Sequence, residues 1–233
     1  MNPYISVENL SVKYGNDQVL HDVNFQTDKG EFIAIVGKSG SGKTSFLNAL
    51  ANLIPFSGTV KLPGAIGVIF QQYAVYPWLT VAENIEFGLN KVPASERKNI
   101  VEKHLQLSHM ADKKDKYPAE LSGGQVQRVA LARCMANNPE LLLMDEPYGA
   151  LDSYTRDKMQ EWLLEVWSAM RKTIIFVTHN IEEAIFLADR VLVLEEGKFV
   201  QDIKVPFARP RKAEIKFTPE FNELRKQIST FLN

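Results

Sequence analysis

Gly37-Lys38-Ser39-Gly40-Ser41-Gly42-Lys43-Thr44 follows Glu31-Phe32-Ile33-Ala34-Ile35-Val36, an apolar run of strand length, and leads into Ser45-Phe46-Leu47-Asn48-Ala49-Leu50, which has helix-forming character. The expected local structure is a strand, a glycine-rich turn and a helix start. Glycines let such a turn close without Cβ clashes, so that backbone N–H groups and the helix N-terminus can point at phosphate oxygens. In a G-x-x-x-x-G-K-[ST] pattern, Lys43 would reach the β- and γ-phosphates and the Thr44 hydroxyl would ligate Mg²⁺. The alternative is a flexible Gly/Ser turn, and the rest of the chain has to decide.

The 233 residues suffice for one sizeable core, with room for an inserted subdomain. A formal net charge of -1 argues against a nucleic-acid-binding surface covering the whole molecule. The single cysteine, Cys134, makes neither an internal disulfide nor a multi-cysteine zinc site, which favours a reduced, intracellular setting. Met1-Asn2-Pro3-Tyr4-Ile5-Ser6 has no basic region and no apolar h-region, so no signal peptide is expected. No apolar run approaches the roughly 18 residues that span a bilayer. If the protein works at a membrane, another chain does the spanning.

Upstream of the loop, residues 5–14 and 19–26 alternate in the β manner around Gly15-Asn16-Asp17, predicting a hairpin. Tyr14, at the end of the first strand, is either a base-stacking ring or an edge-strand aromatic. Downstream, Ile54-Pro55-Phe56-Ser57-Gly58 breaks the pattern before the strand Ile66-Gly67-Val68-Ile69-Phe70, which ends at Gln71-Gln72. Ligands bind at the carboxyl ends of strands in open α/β sheets, so Gln71 is a candidate contact to a metal or an attacking water. Residues 73–79 are unusually aromatic, and form either a satellite core under a loop or an exposed docking patch.

Residues 81–109 have a helical pattern with polar breaks, and Lys113-Lys114-Asp115-Lys116 reads as a solvated connection. After Leu121-Ser122-Gly123-Gly124-Gln125, the apolar positions Val126, Val129, Ala130 and Cys134 predict an amphipathic helix opened by a serine cap. Its start is a second anion site in principle, or simply a capped helix.

Leu141-Leu142-Leu143-Met144 is expected to be a strand buried on both faces, ending in Asp145-Glu146-Pro147. Adjacent strand residues point opposite ways, so the two acids should hold different jobs. Asp145 suits Mg²⁺, and Glu146 suits polarising the water that attacks the γ-phosphate. Asp152 or Ser153 caps a helix in which Met159, Trp162, Leu163, Val166, Trp167 and Met170 keep the 3.6 period as core. Thr173-Ile174-Ile175-Phe176-Val177-Thr178 predicts another central strand, and His179 at its end is a candidate γ-phosphate contact.

Residues 191–194 and 199–203 predict a further hairpin. From Val205 the pattern reads as a linker through Arg209-Pro210-Arg211-Lys212, whose basic cluster is expected to be solvated. Thr218-Pro219 then caps a terminal helix with Phe221, Leu224, Ile228 and Phe231 on one side, packed on the core or a partner.

The order phosphate loop, Gln71, Leu-Ser-Gly-Gly-Gln, Asp145-Glu146, Ala150-Leu151-Asp152 and His179 resembles the ATP-binding cassette family across nearly the whole chain. The string at residues 121–125 is that family's own signature. The resemblance implies an α/β fold: a P-loop NTPase core with an antiparallel β edge and an α-helical subdomain inserted at about 83–134. The cassette would span residues 1–205, with a C-terminal extension and terminal helix at 206–233.

By the same resemblance, Gly37, Lys38, Ser39, Gly40, Ser41, Gly42, Lys43 and Thr44, with Ser45 beside them, are the Walker A loop. Tyr14 looks like the aromatic that stacks on adenine. Gln71 matches the Q-loop glutamine, Asp145 the Walker B aspartate, Glu146 the catalytic glutamate, Asp152 the D-loop aspartate and His179 the switch histidine. Thr44, Gln71 and Asp145 would hold Mg²⁺. Ser122, Gly123, Gly124 and Gln125 would bind ATP held by the other subunit, so catalysis would need a head-to-tail pair closing on two ATP molecules.

Within the family the chain looks like the ATPase subunit of importers in the nitrate, sulfonate, taurine and bicarbonate group. The residues that carry this are Tyr76-Pro77-Trp78-Leu79-Thr80-Val81-Ala82-Glu83-Asn84, Pro147-Tyr148-Gly149-Ala150-Leu151-Asp152 and the Arg209-Pro210-Arg211 tail; Tyr148 stands where phenylalanine is usual, and Val126 where a polar residue is common. The implied partners are an integral-membrane permease, docked beside the Q-loop and helical subdomain, and a periplasmic or surface substrate-binding protein. Nucleic acid is not among them, and the implied location is the cytoplasmic face of the membrane.

Three other readings compete. An exporter cassette differs only weakly in sequence. A soluble cassette ATPase acting on DNA or ribosomes predicts a coiled-coil insertion or a second cassette. A small-molecule phosphotransferase leaves residues 121–125 and His179 without purpose.

Overall fold

The computed structural model describes residues 3–72, 74–90 and 92–232. Met1, Asn2 and Tyr73, which entered the readings of the N-terminus and of the aromatic segment, lie outside the described residues. The glycine-rich loop sits between β3 (Phe32–Val36) and α1 (Lys43–Leu50), as the apolar run and the helix formers around it predict. β3 is an inner strand of a six-stranded sheet ordered β5-β6-β7-β3-β8-β9, with β5 Ile66–Ile69, β6 Leu141–Asp145, β7 Thr173–Thr178, β8 Arg190–Glu195 and β9 Lys198–Lys204. All pairings are parallel except the closing β8–β9 hairpin.

Parallel strands buried on both faces need apolar side chains in both directions, and the alternation divides them between two cores. Phe32, Ala34, Val36, Leu142, Met144, Ile174, Phe176, Val191 and Val193 face one core. This core is closed by helices α5 (Ser153–Met170), α6 (Ile181–Leu187) and α7 (Pro219–Thr230). Ile33, Ile35, Leu141, Leu143, Ile175, Val177, Leu192 and Leu194 face the other, under α1 and a separate antiparallel sheet. Trp162 and Trp167 are buried in the first core, as their period predicts.

The antiparallel sheet has the order β2-β1-β4, from β1 (Ile5–Tyr14), β2 (Asp17–Thr27) and β4 (Ser57–Lys61). β1 and β2 form the expected hairpin. β4 corrects the reading of residues 54–58 as a mere break: Gly58 has φ 101, and a Cβ there would lie 2.4 Å from the Asn9 carbonyl, so glycine is what allows this edge strand to approach β1.

A third core joins α2 (Val81–Glu86), α3 (Ala94–Leu107) and α4 (Gly123–Ala136) through Val81, Ile85, Leu89, Val101, Leu105, Val129 and Ala132. α4 is buried more widely than its predicted stripe: Leu131 and Met135 enter the first core while Val126 is only half-buried. The helix is sandwiched between two cores, so one amphipathic face does not describe it.

The C-terminal segment departs most from expectation. Arg211 is buried, and its Nη1 donates to the carbonyls of Ile185, Phe186 and Ala188 at 3.1, 3.1 and 2.6 Å. Arg209 donates to Asp189 at 2.7 Å and to the Leu187 carbonyl at 2.6 Å, and lies over the Trp167 ring at 4.1 Å. The last turn of a helix leaves carbonyls without partners, and a guanidinium fork satisfies several at once. Arg209 and Arg211 are a structural clasp on α6 rather than part of a solvated linker, while Lys212 is exposed as expected.

Candidate functional site

The register of the parallel sheet brings the site together. Val36 pairs with Thr178, and Asp145 with Val177, so the segments after β3, β6 and β7 leave the sheet side by side. Ile69 pairs with Met144, which sets Gln71 near the same edge. Carboxyl ends of strands on either side of a crossover are where α/β sheets open a crevice. Here a cleft of about 560 Å³ is lined by Val19, Ser39, Gly40, Gly42, Lys43, Thr44, Ser45, Gln71, Glu146 and His179.

Two glycines are steric requirements of the loop. A Cβ on Gly37 would lie 2.3 Å from the Leu194 carbonyl, and one on Gly42, at φ 104, would lie 2.7 Å from Leu20 Cδ2. Gly42 caps α1, whose first N–H groups have no intrahelical acceptor and whose first turn holds no acid, leaving the helix end suited to an anion. Lys43 is buried at the centre of the loop, and its Nζ donates to the carbonyls of Gly37 and Lys38, each at 2.9 Å. Burial lowers its pKa, against the pull of Glu146 and Asp145. The ammonium is thus held by the same loop that lines the cleft, and a cation beside an unpartnered helix start fits a polyphosphate.

Thr44 Oγ1 donates to Asp145 Oδ1 at 3.2 Å. Burial raises the Asp145 pKa, the Thr44 hydrogen bond and Lys43 lower it, and the neighbouring Glu146 raises it further. A hydroxyl and a carboxylate in contact beside a phosphate loop are hard oxygen donors of the kind that Mg²⁺ takes. Glu146 departs from the strand-alternation argument. It lies just beyond β6 at φ 41, in the left-handed region, with its N–H still bonded to the Val177 carbonyl at 2.9 Å. That turn, rather than strand alternation, aims its carboxylate: Oε2 lies 3.0 Å from His179 Nδ1. A strained residue at the site, held by the surrounding sheet, fits a chemical role.

Gln71 faces the same edge, its Nε2 being 3.7 Å from where a Cβ on Gly149 would stand. Tyr14 reaches the start of α1, with its hydroxyl 3.4 Å from Ser45 Oγ and its ring half exposed. The signature segment and Asp152 do not line this cleft. Ser122 Oγ accepts from the Gln125 N–H at 3.4 Å and Gln125 Oε1 accepts from the Ser122 N–H at 3.0 Å, a capping box at the start of α4. Asp152 caps α5 by accepting from the Thr155 N–H at 3.0 Å, and that hydrogen bond lowers its pKa. Gly124 packs so closely on α5 that a Cβ would lie 2.7 Å from Thr155 Cγ2, and Gly123 faces Leu151. The phosphate loop with its acids and histidine is therefore separate from the serine-glycine helix start, which packs on the Leu151–Thr155 segment.

The aromatic segment divides. Val75 packs into the third core, whereas Trp78 and Phe87 project outward at 69% and 47% exposure around Tyr76. The buried Asn84 side chain fixes this loop, accepting from the Tyr76 N–H and donating to the carbonyls of Tyr76, Leu79 and Thr80. Sequence reasoning missed Val19 on the cleft wall and the buried Glu183. In the sequence, Glu183 reads only as one of two acids in a helix's first turn, a placement explained by the helix dipole alone.

Comparison with known proteins agrees with this geometry. The family model described as ABC transporter matches residues 20–149. The aliphatic sulfonates import ATP-binding protein SsuB 1 of Paracoccus denitrificans is 42% identical, over 98% of this chain and 93% of the relative. The bicarbonate transport ATP-binding protein CmpC of Synechococcus elongatus is 41% identical over 100% of this chain and 38% of its own length. Among solved structures, cbiO1 of Clostridium perfringens, part of the transporter complex cbiONQ, superposes with TM-score 0.83 at 25% identity, covering 97% of this chain and 100% of that one. The cassette MJ0796, in a dimeric post-hydrolysis state bound to ADP and Pi, superposes with TM-score 0.75 at 31% identity, covering 88% of this chain and 100% of that one. With the phosphate loop, paired acids and histidine at one sheet edge, these likenesses establish that the chain belongs to the ABC transporter family as one of its ATP-binding, ATP-hydrolysing domains.

Proposed function

We propose that the protein is the ATPase subunit of an importer for a small solute of the nitrate, sulfonate, taurine or bicarbonate kind, working on the cytoplasmic face of the membrane. The observation that carries this reading is the likeness, over nearly the whole of this chain, to import and transport ATP-binding proteins at about 40% identity. A permease supplies the passage, as the likeness to transport ATP-binding proteins supports; among the described residues no helix is long and apolar enough to cross a membrane. A substrate-binding protein acts through that permease. The cassette occupies residues 1–205, with the helical subdomain at about 83–134, and residues 206–233 form the extension.

In the proposed mechanism Gly37 to Thr44 wrap the β- and γ-phosphates, Lys43 neutralises their charge, and Tyr14 supports the base. Glu146 orients a water and accepts its proton as the water oxygen bonds to Pγ and the Pγ–O bond to ADP breaks. His179, 3.0 Å from Glu146, holds that carboxylate and faces the γ-phosphate. Thr44, Asp145 and Gln71 would hold Mg²⁺, which would neutralise charge on the transferred group. Ser122, Gly123, Gly124, Gln125 and Asp152 meet the nucleotide of a second copy, head to tail. Trp78, Phe87 and Tyr76 offer the permease a firm aromatic surface beside Gln71.

The test is a mild-detergent pull-down from native membranes with mass spectrometry of the associated chains. The expected result is a multispanning permease, lost when Trp78→Ala and Phe87→Ala are combined. Recovery with ribosomes or DNA, or with no membrane chain, would overturn the importer reading.

A further inference from the structure

Glu183 is a carboxylate at 5% exposure, outside the cleft and unused by the mechanism above. Burial raises its pKa, against the pull of Thr178, Arg156, His179 and Lys216. Its two oxygens serve two different elements. Oε2 accepts from Thr178 Oγ1 at 2.6 Å, and Oε1 faces Arg156 Nε at 3.4 Å. That Nε is itself buried and, among the described residues, has no hydrogen-bond partner, so the carboxylate is the group that compensates its charge.

Each branch ends at a turn that carries a functional residue. The Thr178 hydroxyl also accepts from the Asn180 N–H at 3.0 Å, so it brackets His179 from both sides. Asn180 Oδ1 accepts in turn from the Glu182 and Glu183 N–H groups at 2.9 and 3.3 Å. On the other branch, Arg156 Nη2 donates to the Leu151 carbonyl at 2.9 Å, the residue before Asp152. A buried ion pair adds little net stability, because desolvation offsets its attraction. What this one does is fix two turns relative to each other. One holds the histidine beside its own Glu146, and the other holds Asp152 and the Leu151 surface on which Gly123 rests.

We propose that Glu183 is a positioning residue that ties the His179 turn to the Leu151–Asp152 turn through Thr178 and Arg156, linking the chain's two half-sites. The proposal rests on the roles assigned above to His179 and Asp152. It predicts that loosening either arm loosens both turns, although they lie on different elements.

The test is hydrogen–deuterium exchange on the full chain, unaltered and as Glu183→Gln, Arg156→Gln and the double variant. The amide in Glu183→Gln keeps the shape and the contact with Thr178 but drops the charge that faces Arg156. Each single variant should raise exchange about tenfold in both residues 148–153 and 178–182, with strands 32–36 and 141–144 unchanged. The double variant should match the singles, since both cut one connection. ATP turnover in Glu183→Gln should fall about tenfold with KM for ATP unchanged, because the nucleotide-binding loop is untouched. Exchange rising in one turn only, or rising everywhere including the strands, would overturn the coupling. Failure of the unaltered chain to hydrolyse ATP would instead overturn the functional reading, while the exchange pattern still decides the coupling.

Discussion

Lys43 and Glu146 face one cleft but answer to different parts of the fold, and their substitution should separate binding from chemistry. Lys43 is locked by two carbonyls of its own loop, so Lys43→Ala should remove ATP binding. Glu146 touches His179 rather than the loop, so Glu146→Gln should leave ATP binding intact and lower turnover by about 10²–10⁴-fold, as loss of a general base does. Filter binding of ATP beside a phosphate-release assay checks both, and normal turnover in the glutamine variant would remove Glu146 as the base. Gly42→Ala tests the loop itself. A Cβ at φ 104, 2.7 Å from Leu20 Cδ2, has no relaxed position, and the cost should be about 1–3 kcal/mol with ATP affinity falling alongside stability.

Among the elements, those whose side chains have one job were legible. β3, β6 and β7 are apolar on both faces because both faces are covered, and their carboxyl ends could be named as the site from sequence alone. The elements that were misread had side chains serving a distant partner. β4 is a strand because Gly58 lets it approach β1, and Arg211 is buried because α6 ends where its guanidinium lies. Neither partner is near in sequence, so composition had only a break and a charge run to offer. The phosphate loop and the serine-capped helix start were legible as local structure, but their separation depends on where α4 and α5 pack, which no spacing encodes.

Arg211→Met should therefore cost about 1–3 kcal/mol by leaving buried carbonyls unpaired, a fall in Tm of a few degrees for a chain of this size. A surface charge would cost almost nothing. The helical core offers a pH test. His104 is buried, its Nδ1 lies 2.8 Å from the Ile100 carbonyl, and burial lowers its pKa from 6.5. The unfolded chain then binds a proton that the folded chain resists. The stability present above about pH 6.5 is lost as pH falls toward the lowered value. Urea unfolding between pH 7.5 and 5 should show this slope, and His104→Leu should flatten it.

At the scale of the whole molecule, the capped helix start at Ser122 does not line the cleft on the phosphate-loop side of the same chain. If two copies complete each other head to tail, every active site contains a Lys43 from one chain and a Ser122-Gly123 from its partner. Lys43→Ala and Gly123→Asp should each abolish turnover as pure proteins, since both sites of each dimer carry a defect. Mixed in equal amounts, half of the dimers are hybrids. A hybrid gathers both defects in one site and leaves the other site whole. Turnover should then reappear in the mixture, at about a quarter of the unaltered rate if sites fire independently, and near zero if both must close together. A mixture that stays dead while binding ATP, and that forms hybrids by mass, would mean the two sites work only as a pair. A single variant that keeps full activity would show instead that its half-site is not used.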